Sequence, residues 1–209
     1  MKTLKISTVC LISVLLAACE EPSEKLPVYH SPDFTPVWEN STAYQHYIAD
    51  FEYIDQNGEG YGTNELEGKI HVMNCFFTAC PSLCPTLMGN LMEVQNSFKG
   101  DPEIQMISLS VTPERDSISR LISYAELNGI RSSNWHLLTG DKKLIYQTAR
   151  QSYFVDENIG TELNENDFLH TENVILVDQN LQIRGIYNGS LPLEIEQLIE
   201  DIRILKKEL

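Results

Sequence analysis

Two apolar runs, Ile70 to Phe77 and Ile104 to Val111, bracket a stretch in which Leu87, Leu91, Val94 and Phe98 recur at helical spacing. A run that is apolar at successive positions suits a strand covered on both faces, and a strand, helix, strand succession returns the chain in the same direction. This unit commits the chain to an α/β fold with parallel strands at its centre. Downstream, Asp116 or Ser117 is placed to cap a helix whose apolar face is Ile118, Leu121, Ile122 and Ala125, ending near Asn128-Gly129. Trp135 to Leu138 reads as a short strand, and Asp141 as the cap of a helix carrying Leu144, Ile145, Thr148 and Ala149. Asn173 to Asp178 and Leu181 to Tyr187 read as a hairpin, followed by a last helix over 193–207. Upstream, the alternation from Ala49 to Asp55 closes on the turn signal Gln56-Asn57-Gly58. The order predicts a thioredoxin-like fold: a central mixed sheet flanked by helices, with an N-terminal hairpin extension.

The N-terminus sets the compartment. Lys2 and Lys5 precede an apolar stretch from Ile6 to Leu16 that ends in Leu16-Ala17-Ala18-Cys19. The stretch is short for a membrane span, and small residues directly before a cysteine resemble the processing site of bacterial lipoproteins. Residues 1–18 are expected to be a lipoprotein signal peptide, with Cys19 the lipidated first residue. Residues 19–45, with Pro22, Pro27, Pro32 and Pro36, read as a flexible tether, and 46–209 as one domain. The expectation is a membrane-anchored lipoprotein, periplasmic or on the outer face of the cytoplasmic membrane. Formal charge is −15, or −17 once the two signal lysines leave, which excludes nucleic acid as a natural partner and favours cations and basic protein faces.

Chemistry concentrates in Phe77-Thr78-Ala79-Cys80-Pro81-Ser82-Leu83-Cys84-Pro85, where the first long strand gives way to the helix. Ligands in open α/β sheets bind at this carboxyl edge. Two thiols separated by three residues suit soft-metal binding at least as well as thiol exchange. Pro81 and Pro85 bias the residues before them away from helical angles, so both cysteines are expected in a stiff loop ahead of the helix. Nearby helix amides favour their thiolates. Cys75, inside the apolar strand, reads as a small buried hydrophobe, and His71 and His136 as structural. His30 and His46 have no supporting partner, and Met88 and Met92 read as core or rim.

His170 lies 86 residues beyond Cys84 (170 minus 84), immediately before the strand that starts at Asn173. In a thioredoxin-like fold that loop faces the active cysteines. Two thiolates and one imidazole form a set soft enough for Cu(I), able to take Cu(II) with an added oxygen ligand; zinc accepts the same donors but in structural sites takes four.

The chain resembles the Sco/SenC family of copper-binding, thioredoxin-like proteins that help assemble the CuA centre of cytochrome c oxidase. The likeness rests on Asp50-Phe51 with Asp55 to Gly58, Leu66 to Lys69, Phe77 to Pro85, Ser108 to Asp116, Thr139-Gly140-Asp141, and His170 before Val174 to Asp178. It implies copper as the metal, Cys80, Cys84 and His170 as ligands, a reversible Cys80–Cys84 disulfide, and cytochrome c oxidase subunit II or another cuproprotein as partner. Two departures stand out: Leu169 where many members carry an aspartate, and Thr112 where many read Ser-Val-Asp-Pro. Both remove carboxylates near the expected site. Asp156, Glu157, Glu162, Glu165 and Asp167 crowd the segment before His170, as a solvated loop, a docking surface or an oxygen donor.

The leading expectation is a copper metallochaperone without turnover; the rival is a thiol-disulfide oxidoreductase using Cys80 and Cys84. A peroxidase of the peroxiredoxin type fits less well, because Thr78 stands two residues before Cys80 rather than three.

Overall fold

The run Ile70–Phe76 becomes the centre of a seven-stranded sheet in a computed structural model that describes residues 25–38, 45–131, 133–155, 169 and 171–208. The signal segment, Cys19, the acidic residues of 156–167 and His170 lie outside the described residues. The sheet comprises β1 (Val28–Tyr29), β2 (Pro36–Val37), β5 (Ile70–Phe76), β6 (Ile104–Ser110), β7 (Trp135–Leu138), β8 (Asn173–Val177) and β9 (Ile183–Asn188), in the order β2-β1-β9-β8-β5-β6-β7. β5, β6 and β7 are parallel, while β8 and β9 run antiparallel beside β5. This is the mixed thioredoxin-like sheet that the segment order predicts. The entrance hairpin is β3 (Glu52–Ile54) with β4 (Gly60–Gly62), and α1 (Thr63–Leu66) follows. Gly62 is required there, because a Cβ would fall 2.0 Å from the Phe51 carbonyl oxygen.

Every residue of β5 and β6 is buried, which explains their unbroken apolar character. Side-chain alternation splits them between two cores. Ile70, Val72, Phe76, Ile104 and Met106 pack with α2 (Leu83–Ser97), α3 (Ile118–Asn128) and α5 (Pro192–Lys206). Met73, Cys75, Ile107 and Leu109 face the hairpin, α1 and α4 (Lys142–Gln147). Leu91 on α2 is fully buried, so truncation to Ala is expected to cost about 2–5 kcal/mol. The first core also holds a polar chain: Trp135 Nε1 donates to Ser108 Oγ at 2.8 Å, which donates to Asn74 Oδ1 at 2.6 Å. Each polar group so satisfied avoids the cost of burial without a partner.

Three expectations are corrected. Residues 25–38, taken as tether, carry the edge strand β2 and its neighbour β1, and Tyr29 pairs with Ile183 of β9. Pro36 is compatible with this because an edge strand tolerates a missing amide. On α3 only Leu121 and Ala125 are buried; Ile118 and Ile122 are 38% and 41% exposed, since the helix meets the sheet along a narrow one-turn stripe. Finally, Cys84 is not in the loop but in the first turn of α2. Pro85 is admitted there because the amides of a first turn have no intrahelical acceptor to lose.

Candidate metal centre

β5 delivers the chain to the carboxyl edge at Phe76, and a tight turn with the Cys80 amide on the Phe77 carbonyl (3.3 Å) swings it into α2. Ser82 occupies the cap position of α2 without any side-chain cap bond. Cys80 Sγ takes that role, accepting the Cys84 amide at 3.4 Å. A helix N-terminus thus aims its orphan donors at sulfur.

The two thiols differ as a result. Burial pushes Cys80 upward, but the amides of Cys84, Ser82 and Leu83 together with the Cys84 thiol outweigh it, leaving Cys80 below an ordinary thiol. Cys84 is pushed up to about 12 by burial, reinforced by the neighbouring Cys80 sulfur and opposed by a hydrogen bond with the Phe77 backbone. Cys80 is therefore the sulfur that ionises first, and Cys84 the one that keeps its proton until something displaces it.

Asp116 fixes the loop that carries Cys80. Its carboxylate is fully buried and accepts Thr78 Oγ1 at 2.5 Å, Ser110 Oγ at 2.6 Å, Thr112 Oγ1 at 3.0 Å and the Thr78 amide at 3.4 Å. Arg120 Nε donates to Thr78 Oγ1 at 2.6 Å. Thr112, one of the departures from the family pattern, is thus a hydrogen-bond donor to this hub. Tyr124 of α3 packs on Phe76 at 5.6 Å, and its hydroxyl is held protonated, pushed up to about 12 by burial and then by Cys84, Cys80 and Asp116. Sequence reasoning missed both Tyr124 and the hub; a buried acid six residues past the end of β6 was visible only as a helix cap.

Leu169 and Thr171 line a narrow cleft together with Cys84, Phe77 and Val111. The described residues on either side of position 170 therefore reach the second cysteine. Cys75 is buried in β5 facing the other core. The remaining histidines serve elsewhere: His136 Nδ1 meets Asp55 at 3.0 Å, His71 Nε2 meets the Tyr153 hydroxyl at 3.0 Å, His46 Nε2 meets the Ser152 carbonyl at 2.7 Å, and His30 Nδ1 accepts the His46 amide at 3.2 Å. Among the described residues no group of three or more His, Cys, Asp or Glu side chains is placed to hold a metal ion. What they supply is a sulfur pair, a donor set that suits a soft cation.

The sheet order and the cysteine turn define a thioredoxin-like protein with a dithiol at the carboxyl edge. The SCO1/SenC family model matches residues 39–207, and the chain belongs to that family. The SCO1 protein homolog of Bacillus subtilis (strain 168) is 24% identical over 205 residues, 97% of each chain. The crystal structure of a SCO1/SenC family lipoprotein from Bacillus anthracis str. Ames aligns with TM-score 0.67 and 27% identity, covering 77% of this chain and 95% of that one. The structure of Bradyrhizobium japonicum ScoI with copper bound aligns with TM-score 0.60 and 25% identity, covering 76% and 99%.

Proposed function

We propose that this chain is a copper metallochaperone: Cys80, Cys84 and His170 hold the ion and pass it to an extracytoplasmic acceptor, the CuA centre of cytochrome c oxidase subunit II or another cuproprotein. The observation that carries the reading is the sulfur pair at the start of α2, with the flanks of position 170 lining a cleft together with its second member, Cys84. The copper-bound ScoI of Bradyrhizobium japonicum supports it. Cys80 is the entry ligand because its sulfur is already biased toward thiolate. Coordination by Cys84 displaces a proton, so binding releases acid and is reversed by it. Transfer is ligand exchange, in which acceptor thiols and imidazoles replace these three donors one at a time. Cys19 is the lipid anchor, after removal of residues 1–18, and holds the domain on the outer side of the membrane.

A second reading draws on the asymmetry of the two thiols. Cys80 is suited to attack a partner's disulfide and Cys84 to resolve the mixed disulfide, each turnover moving two electrons and two protons to the partner as the Cys80–Cys84 disulfide forms. His170 separates the two readings. His170→Ala is expected to weaken Cu(I) retention in competition with a chelator while leaving disulfide formation intact. Equal Cu(I) affinity in that variant overturns the metallochaperone and leaves the dithiol exchanger.

A further inference from the structure

The sheet has two ends, and the described N-terminus is fastened to the one without the cysteines. β8 runs against β5, with His71 opposite Val177 and Asn74 opposite Val174, so Asp178 lies at the level where β5 begins. There Arg184 bonds Asp178 at 2.8 Å and Glu208 at 3.1 Å, and the same guanidinium donates to the carbonyls of Pro27 (3.0 Å) and Leu26 (2.8 Å). Those bonds pin the start of the described chain to the foot of the sheet. Beside them a groove of about 410 Å³ has one apolar wall of Leu26, Val28, Val37 and Trp38 and a polar wall that includes Lys25, Asp178, Arg184 and Glu208, and Trp38 is left 70% exposed.

The distance to the anchor is short. Cys19 precedes Lys25 by six residues (25 minus 19), a span of at most about 20 Å when fully extended and roughly 13 Å as a flexible coil. A lipid on Cys19 therefore brings the bilayer surface to the foot of the sheet. Trp is the side chain best suited to such a surface, with an apolar body and an indole N–H that favours headgroup depth.

We propose that this foot is a membrane-facing surface: Trp38, flanked by Leu26 and Val37, rests in the headgroup region of the bilayer that holds the Cys19 lipid. The cysteine turn then lies at the far end of β5 from the foot, and β5 itself measures about 20 Å at the rise of a strand. The inference rests on the lipid-anchor reading. The formal charge of −17 that remains once the signal lysines leave disfavours an anionic lipid surface and leaves a zwitterionic one. An acceptor must accordingly present its metal site to that far end of β5.

The test uses the full chain with its native processing, reconstituted into phosphatidylcholine vesicles with and without bromine on the upper acyl chain. The protein has two tryptophans, and Trp135 is fully buried, so surface quenching reports Trp38. The expected result is loss of emission in brominated vesicles and protection from aqueous iodide, both absent in Trp38→Phe. Mass spectrometry of the same sample separates the failures. An acylated protein with equal emission in both vesicle types overturns the orientation alone, whereas a protein without acyl chains overturns anchor and orientation together.

Discussion

The two ends of the central sheet are built on different electrostatic plans. At the foot, charge is matched to charge: buried Arg184 is shared by Asp178 and Glu208, and Lys206 is paired with Asp101 and Glu103. At the cysteine end the buried carboxylate of Asp116 is met by hydroxyls and an amide, and Cys80 Sγ is met by the Cys84 helix amide. The charged groups of the foot are paired within the fold, although among the described residues buried His71 Nδ1 and Gln179 Oε1 have no hydrogen-bond partner there. Among the described residues the cysteine end keeps two soft donors held by weak hydrogen bonds, which suits a carrier of a cation. Stability should therefore be lost at one end and cargo at the other, by different substitutions.

The sharpest way to break that division is to remove a sulfur. Cys80→Ser and Cys84→Ser are each expected to abolish tight Cu(I) retention in chelator competition, with little change in unfolding midpoint. The converse is Arg184→Met at the foot. Leaving Asp178 buried without its partner is expected to cost about 3–5 kcal/mol in urea unfolding. Copper retention of the folded fraction should be unchanged. If Arg184→Met instead loses copper at unchanged stability, the two ends are not independent.

How far the sequence disclosed this arrangement differs between the ends. The strand, helix, strand core and the cysteine turn were legible because periodicity and motif are local, and the entrance hairpin was marked by its turn residues. The two-residue strands Val28–Tyr29 and Pro36–Val37 were not, since two residues carry no period and prolines point away from sheet. Their placement depends on Arg184, more than 150 residues away, binding the carbonyls of Leu26 and Pro27. The same holds for His136 with Asp55, a pair separated by 81 positions. Cys84 was expected in the loop and lies in the first turn of α2, because the bias of a residue before proline is relaxed where the first-turn amides have no acceptor to lose. The exposed Ile118 and Ile122 followed the helical period but not the burial, as tertiary packing chose a narrower stripe than the pattern offered.

Between the extremes stands the hub. Asp116→Asn keeps the size and one acceptor oxygen but sets an amide against the hydroxyls of Thr78, Ser110 and Thr112. The loop bearing Cys80 should loosen, with Cu(I) affinity falling by on the order of tenfold to a hundredfold, as for groups that orient metal ligands. Asp116→Ala should show the same loss. An unchanged affinity in both would mean that the sulfur pair is held by α2 alone, through the Cys84 amide, and that the hub serves only the fold.

The smallest effect concerns acid, and it belongs to the foot. His71 lies at the start of β5, fully buried, and burial holds its imidazole down to about 3 from the usual 6.5. Between those values the unfolded chain binds a proton that the folded one refuses. Stability present above pH 6.5 is therefore lost as pH falls toward 3, by about 1.4 kcal/mol per unit at the steepest. From pH 6.5 to 5.5 this group alone should remove about 1 kcal/mol. His71→Gln is expected to flatten the fall in urea midpoint by that amount over the same range while leaving Cu(I) retention at pH 7 unaltered, because the imidazole contacts Tyr153 and not the sulfurs. A slope that survives the substitution would move the acid sensitivity to another group, with the Asp55–His136 pair the first to examine.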